Sequence, residues 1–535
     1  MKKILITLLL LLSNILPAQV TQEWVATYSG TGSGYNFPKK MTIDFEGNII
    51  VAGNSDSTHG YDYIILKYTP SGNLIWKQRY NGIGNGYDYL SGMVLDDSGN
   101  VYVTGSSEEG SSRGGINWVT IKYNSSGSMK WKRSLNWTAN LVDENFGMNI
   151  DKDRNIYVIG FGRVTSLERA MLTMKYNPDG DSVWCASYTS LAQRSNWGYS
   201  VVTDDSDNVY SSGYGAVPTG NEIVTIKYDS GGQRKWVKTA PTGEGDYLRP
   251  VFSAVDSSNN IVVVGYSYFS NNYDFQTLKY SSAGDLLWSR TYNGGNIDRA
   301  NCLFIDNYSN ILIAGFTFIN TYGDYLILKY SSAGETLLMK NFNGESSGST
   351  DEAFAILSDK NGNIYLTGYS QALTNGYEFL TMKLNTSGGI IWAKKYSTGY
   401  DSYAYFMVLD KAGSIYVSGE CFQAGGNTVI VTVKYSQLTG ITKNEINENE
   451  NLLINYPNPF NSNTEIEYKI GNNALVRIKI YDIQGKEIET LVNENKNIGN
   501  YKINFNGDKY SSGIYFYSLQ IDNKIIQTNR MLIIK

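Results

Sequence analysis

The sequence predicts an all-β protein dominated by an eight-bladed β-propeller, because a regular repeat and a strand-rich composition occur together. An Asp is followed nine residues later by a Gly, and this pattern occurs eight times at a period of about 52 residues. Seven copies also have Asn at the fifth position. The chain has 535 residues with 54 Gly, 43 Tyr and 9 Pro, which favours strands and turns. The copies start at Asp44, Asp96, Asp151, Asp204, Asp256, Asp306, Asp359 and Asp410.

Each repeat contains the residues for four short strands, which is the size of one propeller blade. An apolar run precedes the Asp, as in Met93-Val94-Leu95, and another follows the Asn, as in Val101-Tyr102-Val103. The segment between them predicts a tight turn, since Asp accepts backbone N–H groups and Gly or Asn tolerates positive φ. A second hairpin follows, and its first copy runs from Lys67-Tyr68 through Gly72 to Trp76.

The two ends of the array predict that the propeller closes into a ring. Trp24 occupies the outermost-strand position ahead of the first repeat, whereas no Trp follows the last Lys-Tyr pair, Lys434-Tyr435. The N-terminal strand around Trp24 is therefore expected to supply the fourth strand of the last blade, which removes exposed sheet edges. A stacked linear solenoid is the alternative architecture. The Trp rings are expected to pack between blades, and a row of ligand-stacking sites is the other interpretation.

The repeat also resembles a known family. Its pattern Asp-x-x-Gly-Asn-x-Tyr-Val-x-Gly is similar to the bacterial β-propeller repeats called SBBP repeats, over about residues 24–440. The resemblance implies the propeller fold. It implies almost nothing about activity, because the family is defined by its scaffold.

The N-terminal segment and the composition predict an exported protein. Two lysines precede an apolar run that starts at Ile4, and Pro17-Ala18 offers a cleavage site, so residues 1–18 are expected to be a secretory signal peptide. No second apolar run of membrane-spanning length occurs. The net charge of −5 favours neither nucleic acid nor an anionic membrane as a partner. The three cysteines lie far apart and predict neither a disulfide framework nor a metal site.

A change of composition divides the mature chain. The propeller is expected over residues 19–440, a polar linker over 441–452 and a second domain over 453–535. In the second domain, apolar and polar residues alternate from Val476 to Tyr481, which predicts strands. Its length and short strands predict a small immunoglobulin-like β-sandwich.

The second domain resembles the C-terminal sorting domain of type IX secretion substrates. The resemblance implies export across the inner membrane, recognition by the type IX machinery in the periplasm, and passage to the cell surface or the medium. An ordinary immunoglobulin-like appendage is the alternative. The matching pieces are Asn455-Tyr-Pro-Asn-Pro-Phe460, Tyr481-Asp-Ile-Gln-Gly485, Gly499-Asn-Tyr501, Ser512-Gly-Ile-Tyr515 and the apolar stretch that ends in Lys535.

Aromatic residues predict a ligand-binding surface on the propeller face that carries the longer loops. Five repeats place an aromatic directly after the repeated Gly. Flat aromatic faces suit a carbohydrate or a peptide ligand, and packing of the rim and between blades is the alternative role. The expected ligand-binding residues are Phe161, Tyr214, Tyr266, Phe316, Tyr369 and Trp197. Neighbouring loops add Tyr87, Tyr89, Tyr400 and Tyr403.

Acidic residues recur on the same face, eight residues before the repeated Asp. They are expected to accept hydrogen bonds from loop backbones, and calcium binding is the alternative role. No metal site is predicted. The residues concerned are Asp88, Asp143, Asp298 and Asp351.

The sequence predicts binding or surface display in preference to catalysis, and it predicts no cofactor. The single histidine, His59, lies in a loop that one repeat has, and no catalytic or phosphate-binding motif occurs. A secreted propeller enzyme is the alternative. The sequence leaves open a pair of catalytic carboxylates, as a glycoside hydrolase or lyase would need. The segment from Tyr280 to Trp288 resembles a motif of quinone-dependent dehydrogenases, but their vicinal cysteine pair is absent.

Overall fold

The computed structural model is all-β in the residues that it describes, as the sequence predicts. These residues contain 39 strands and no α-helix. Within them, no helix has the length and apolar character needed to cross a membrane. The predicted signal peptide at 1–18 and almost all of the predicted linker at 441–452 lie outside the described residues. The described residues are 20–437 and 452–535, with gaps at 33, 111–114, 138–141, 166, 191–194, 219, 243–250, 270–271, 319–321, 345–349, 373–375, 459, 471 and 523.

Two compact units divide the chain, and the first, Met1–Leu438, contains eight antiparallel four-stranded sheets in its described residues. Seven of them, called sheets 1 to 7, each consist of four consecutive strands, as the repeat predicts. After β1 (Val20–Tyr28), the strands of sheets 1 to 4 are β2 (Asn36–Ile43), β3 (Ile49–Ser57), β4 (Gly60–Tyr68), β5 (Leu74–Tyr80), β6 (Asp88–Leu95), β7 (Val101–Glu108), β8 (Ile116–Tyr123), β9 (Met129–Leu135), β10 (Glu144–Ile150), β11 (Ile156–Arg163), β12 (Arg169–Tyr176), β13 (Ser182–Tyr188), β14 (Asn196–Thr203), β15 (Val209–Val217), β16 (Gly220–Tyr228) and β17 (Arg234–Pro241).

The remaining strands of this unit form sheets 5 to 7 and a sheet 8 of different composition. They are β18 (Phe252–Val255), β19 (Ile261–Phe269), β20 (Asn272–Tyr280), β21 (Leu286–Tyr292), β22 (Asp298–Ile305), β23 (Ile311–Phe318), β24 (Gly323–Tyr330), β25 (Thr336–Phe342), β26 (Asp351–Ser358), β27 (Ile364–Gln371), β28 (Tyr377–Leu384), β29 (Ile390–Tyr396), β30 (Ser402–Leu409), β31 (Ile415–Phe422) and β32 (Thr428–Gln437). Sheet 8 has the order β1-β32-β31-β30. The first strand is therefore the fourth strand of the last sheet, which agrees with the offset of Trp24.

The repeated Asp shapes the turn between the first and second strands of a sheet. In sheet 1, Asp44 Oδ1 accepts the backbone N–H of Asn48 at 2.8 Å, and Asp44 Oδ2 accepts the Asn48 side-chain amide at 3.0 Å. Gly47 has a φ of +84°, a conformation that favours Gly. The buried Asp44 also forms an ion pair of 2.9 Å with Lys67 from the third strand. One polar cluster thus fixes the turn and ties it to the third strand.

The Lys and the Trp of the repeat connect each sheet to the next one. Lys67 Nζ and Trp76 Nε1, both in sheet 1, donate to the carbonyl of Ser125 in sheet 2, at 3.2 and 3.0 Å. In the same turn, Gly127 lies against the Trp76 ring, where a Cβ would come within 2.9 Å of Cδ2. The Trp rings therefore pack between sheets. The same bond joins Trp131 to Pro178, Trp184 to Ser230, Trp236 to Ser282 and Trp288 to Ser332.

Sheet 8 contacts sheet 1 through the same bonds. Trp24 Nε1 and Lys434 Nζ donate to the carbonyl of Pro70 at 3.0 and 3.2 Å. A Cβ at Gly72 would come within 2.6 Å of Cδ2 of the Trp24 ring. The contact between the last and the first sheet is therefore of the same kind as the contacts between consecutive sheets.

A glutamine replaces a missing turn at the contact between sheets 7 and 8. No turn joins β32 to β1, so this sheet offers no turn carbonyl to the preceding Lys and Trp. Gln437 Oε1 accepts instead from Lys383 Nζ at 2.8 Å and from Trp392 Nε1 at 3.4 Å. Gln437 Nε2 donates to the Tyr365 hydroxyl and to the Gly413 carbonyl, at 3.1 and 2.8 Å. The Gln437 side-chain oxygen thus accepts the two hydrogen bonds that a turn carbonyl accepts at other contacts.

The core of the first unit is a series of apolar interfaces between neighbouring sheets. The first seven residues of β3 are all buried, so this strand buries both of its faces. Ile49 and Val51 join a cluster with residues of sheet 8, whereas Ile50 and Ala52 join a cluster with residues of sheet 2. Alternate residues of one strand therefore serve two interfaces, and each sheet depends on both neighbours.

The second unit, Thr439–Lys535, consists of two sheets around one apolar core in its described residues. Val476, Ile478 and Ile480 are fully buried and alternate with partly exposed residues, as the sequence predicts. The strands are β33 (Leu452–Tyr456), β34 (Asn463–Ile470), β35 (Ala474–Tyr481), β36 (Glu487–Lys496), β37 (Gly499–Asn506), β38 (Gly513–Ile521) and β39 (Lys524–Ile533). They pair in the orders β33-β34-β37 and β36-β35-β38-β39.

The substitution Trp24→Ala is expected to destabilise the first unit as much as the same change inside the array. Loss of a packed Trp costs about 3 kcal/mol, because the remaining groups leave a cavity. The matched control is Trp184→Ala, which removes the equivalent ring between sheets 4 and 3. Urea unfolding should give similar losses for both variants. A midpoint for the Trp24 variant that equals the wild type would show that β1 is dispensable.

Acid is expected to destabilise the first unit through its buried Asp–Lys pairs. Burial disfavours the charged form of Asp256, but hydrogen bonds from Lys279 and Asn260 hold its pKa below the ordinary value. The same causes lower the pKa of Asp44 and Asp306. A depressed folded-state pKa adds stability above the unfolded-state pKa of about 4, and this stability is lost as the pH falls through the folded-state pKa.

The test of this pH dependence compares Asp256→Asn with the wild type between pH 7 and pH 3. The variant should be less stable at pH 7, because it leaves Lys279 buried without its 2.7 Å ion pair, and the two stabilities should converge toward pH 3. Asp285→Asn, at an exposed turn of the same sheet, is the control and should follow the wild type at every pH. A constant difference between the Asp256 variant and the wild type would refute the linkage.

Candidate binding site

A β-bulge interrupts the first strand of seven sheets at the same point, opposite the repeated Gly. In sheet 1, Pro38 pairs with Gly53 and Lys40 pairs with Ala52, so Lys39 has no partner on β3. The register shifts at the equivalent point of sheets 2, 3, 4, 6, 7 and 8. A bulge inserts one extra residue and re-aims its side chain. The bulge residues are Lys39, Ser91, Phe146, Tyr199, Asn301, Phe354 and Tyr405.

The repeated Gly is required by this bulge. A Cβ at Gly53 would clash with the carbonyl oxygen of Phe37, and a Cβ at Gly105 would clash with the carbonyl oxygen of Tyr89. The same clash with the bulged strand occurs at the equivalent Gly of the other bulged sheets. The repeat thus keeps this Gly because the first strand bulges out of its regular pairing with the second strand at that point.

The bulge position varies among the sheets, whereas the repeated Asp and Gly do not. It holds one lysine, one serine, one asparagine and four aromatic residues, always five residues before the repeated Asp. The Asp and the Gly nearby keep one residue type because turn geometry and close packing allow no other. The bulge residues are therefore candidates for a ligand site, because the repeat does not fix their residue type.

A cavity of about 730 Å³ lies against the first strands of sheets 1, 5, 6, 7 and 8. Small-molecule sites usually measure about 300–1,000 Å³. The charged and amide groups in the walls include Lys39, Asn301 and Glu420. A second cavity of about 430 Å³ lies against sheets 1, 2 and 3, and Lys39 lines both cavities. The aromatic residues of the larger cavity are Tyr35, Phe37, Tyr61, Phe252, Phe354, Tyr405, Phe406 and Phe422.

Several of the aromatic rings at the two cavities keep accessible surface. Tyr35 is 46% exposed, and its ring centroid lies 5.9 Å from that of Phe422. Tyr61 lies 6.1 Å from Tyr87 and 5.4 Å from Tyr89, so the aromatic wall continues from one cavity to the other. The rings of Tyr87 and Tyr89 are parallel to within 3°. This arrangement offers flat apolar faces to a ligand.

The carboxylates of the larger cavity and its surroundings are already hydrogen-bonded. Glu420 accepts the hydroxyl of Tyr405 at 2.7 Å. Glu352 accepts the hydroxyl of Tyr369 at 2.7 Å and the side-chain amide of Asn301 at 2.8 Å. Burial raises the pKa of Glu420, and the hydrogen bond from Tyr405 acts in the opposite direction. These contacts hold the aromatic hydroxyls in place around the cavity.

The acidic residues eight positions before the repeated Asp bind loop backbones, as the sequence predicts. Asp88 Oδ2 accepts the backbone N–H of Gly82 at 2.6 Å, and Asp298 Oδ2 accepts that of Gly294 at 2.6 Å. Asp143 and Asp351 accept equivalent bonds at 2.7 Å. Burial raises the pKa of Asp88 to about 6. These carboxylates fix the connections between consecutive sheets.

Four of the six predicted ligand-binding residues are buried, and the loop placement predicted for them is wrong. The second strand continues beyond the repeated Gly, as β11 does to Arg163, so the aromatic after the Gly lies inside a strand. Its ring then packs against the neighbouring sheet. The four residues are Phe161, Tyr214, Tyr266 and Phe316, which are 1%, 2%, 6% and 4% exposed.

Trp197 and Tyr369, the other two predicted residues, are partly buried. The Trp197 ring lies 4.6 Å from Phe161 and 4.8 Å from the guanidinium of Arg169. Tyr369 lies beside Glu352, close to the larger cavity. Their role in ligand binding stays a prediction. His59 lies on an exposed turn between β3 and β4.

Sequence reasoning missed the bulge residues, and it missed Tyr35 before β2 and Tyr61 at the start of β4. A signal for the first group exists in the chain. In an alignment of the repeats, the column five residues before the repeated Asp varies and holds an aromatic residue in four of the seven bulged sheets. No comparable signal exists for Tyr35 and Tyr61, because their proximity depends on how the sheets are placed.

Comparison with known families agrees with these two parts of the chain. Residues 75–110 match the family model described as a beta-propeller repeat. Residues 455–535 match the model described as a secretion system C-terminal sorting domain. The chain is thus a β-propeller repeat protein that carries a type IX sorting domain, as the sequence predicts. A search of curated proteins found no match.

Solved structures with some similarity to the chain include two polysaccharide lyases. The lyase Uly1 is 9% identical, with 77% of this chain and 94% of that chain covered and a TM-score of 0.41. An ulvan lyase solved with bound -[GlcA(1-4)Rha3S]- is 11% identical, with coverages of 69% and 98% and a TM-score of 0.39. A protein of unknown function from Dyadobacter fermentans is 10% identical, with coverages of 78% and 99% and a TM-score of 0.39. With TM-scores below 0.5, these similarities carry no argument about this chain.

Proposed function

We propose that the protein is a secreted carbohydrate-binding β-propeller whose site is the larger cavity. The observation that carries this proposal is the accessible aromatic wall of the larger cavity. Tyr35 and Tyr61 offer flat ring faces, which pack well against the apolar faces of sugar rings. Asn301, Glu420 and Tyr405 add polar groups that can orient hydroxyl groups. A peptide is the alternative ligand.

The proposal includes the closure of the eight sheets into one ring of eight blades, with the cavity in its centre. Two observations support closure. Sheet 8 bonds to sheet 1 through Trp24 and Lys434 as consecutive sheets bond to each other. The first strands of sheets 1, 5, 6, 7 and 8 also line one cavity, which a linear stack would keep apart. A ring leaves no unpaired face at either end of the array.

The sorting domain places the proposed activity outside the cell. A type IX sorting domain means export to the cell surface or into the medium. We propose that export proceeds by way of the signal peptide and the periplasm, and that the propeller is the cargo. Outside the cell the site meets polymeric carbohydrates, and the aromatic wall of the larger cavity suits such ligands.

Deletion of residues 453–535 is expected to leave the first unit folded but to stop its appearance outside the cell. Each of the two units forms its own set of internal contacts. The core of the first unit therefore does not need residues of the second. Cell fractionation measures the result, and resistance of the retained protein to protease controls for folding. Normal amounts of the truncated chain in the medium would contradict the role of the second unit in export.

The double substitution Tyr35→Ala and Tyr61→Ala is expected to weaken carbohydrate binding at least about tenfold, because each ring contributes about 1 kcal/mol of contact. Affinity for the best ligand from a glycan screen is measured by calorimetry. Tyr308→Ala is the matched control, since Tyr308 is 64% exposed on the turn between β22 and β23 and should not affect binding. Equal affinity of the double variant and the wild type would place the site elsewhere.

A further inference from the structure

Two consecutive lysines, Lys39 and Lys40, stand at the bulge of β2. Lys39 lines both cavities, and its ammonium lies 5.1 Å from the centroid of the Phe37 ring. Within the described part of the chain, neither ammonium has a hydrogen bond or an ion pair to a carboxylate. Among the first-strand bulges of the described sheets, this is the one whose extra residue is a cation.

Lys39 and Lys40 are both exposed, but each ammonium loses part of its hydration to neighbouring groups. This loss of hydration lowers the pKa of Lys39, and Glu420 acts in the opposite direction. Loss of hydration also lowers the pKa of Lys40, with a further contribution from the charge of Lys39. An anion between the two ammonium groups would relieve both effects.

Within the described residues, the acidic groups that line the cavities form no ion pair with the two lysines. Glu420 lines the larger cavity together with Lys39; its carboxylate accepts the hydroxyl of Tyr405, and its charge acts to raise the pKa of Lys39. Glu144 lines the smaller cavity, where Arg169 and Arg163 oppose the rise in pKa that burial causes. The two ammonium groups are therefore without a carboxylate contact in the described residues, although the charge of Glu420 acts on Lys39.

We propose that the carbohydrate bound in the larger cavity is acidic, and that Lys39 and Lys40 bind its carboxylate or sulfate group. This inference rests on the proposed carbohydrate-binding function. The anionic group lies against the two ammonium groups at the bulge, and the sugar ring packs on the neighbouring aromatic wall. The lysines select the charge of the ligand, and the aromatic rings supply the contact area that any sugar uses.

The experiment measures binding of four probes to the purified full chain by affinity electrophoresis. The probes are dextran sulfate, unmodified dextran, polygalacturonate oligomers and poly-L-glutamate. They separate sulfate from carboxylate, acidic from neutral sugar, and acidic sugar from acidic peptide.

The variants are Lys39→Gln with Lys40→Gln, and Lys39→Arg with Lys40→Arg, which keeps the charge. The matched control is Lys360→Gln with Lys411→Gln, which removes the same charge from exposed turns. Thermal unfolding checks that each variant is folded.

The expected result is that at least one acidic polysaccharide binds, and that the glutamine pair weakens this binding at least about tenfold. The arginine pair and the turn control should bind as the wild type does. Undiminished binding of acidic polysaccharide by the glutamine pair overturns the inference. Equal binding of neutral dextran that depends on Tyr35 and Tyr61 overturns it too, while the proposed function stands. Binding of poly-L-glutamate alone, or of no probe, overturns the inference and the proposed function together.

Discussion

Every sheet of the first unit depends on burial against two neighbours, and this requirement organises the whole array. A second strand such as β3 is buried on both faces, so it cannot be stable as an isolated hairpin. The Trp and the Lys of one sheet reach the turn carbonyl of the next, and a Gly without Cβ lets the ring approach. The same bonds join sheet 8 to sheet 1. Because most of these interfaces are built in the same way, the repeat stays regular.

The bulge separates the residues that build the fold from those available for a site. The Gly opposite the bulge is needed because the carbonyl of the first strand occupies the place of a Cβ. The bulge residue itself leaves the ladder and is free of this constraint. One rigid scaffold can therefore carry Lys39, Phe354 and Tyr405 at equivalent positions, and it combines them around one cavity. Regular and variable positions of the repeat thus have different physical causes.

The electrostatics of the site follow from the same geometry. Carboxylates near the cavity accept hydrogen bonds from tyrosine hydroxyls, as Glu420 does from Tyr405 and Glu352 does from Tyr369. Lys39 and Lys40 have no such partner in the described residues, and the bulge also leaves Lys39 without a pairing residue on β3. The lysines inside the sheets, such as Lys67, are paired with the repeated Asp. A lysine in the third strand of a sheet therefore stabilises the fold, whereas a lysine in the first strand is a candidate contact for the ligand.

The sequence by itself determined the all-β class, the period of the strands, the turn chemistry, the packing role of the Trp residues and the sorting domain. These features are local or repeat at a fixed spacing, so spacing alone reveals them. The positions of Phe161 and Tyr214 were decided by tertiary structure, because strand length beyond the Gly depends on pairing with a neighbour. The same holds for the cavity, which joins residues as distant in sequence as Tyr35 and Phe422. Their contact arises because the first and last sheets meet; the offset of Trp24 predicts that meeting, but no local pattern shows which side chains come together there.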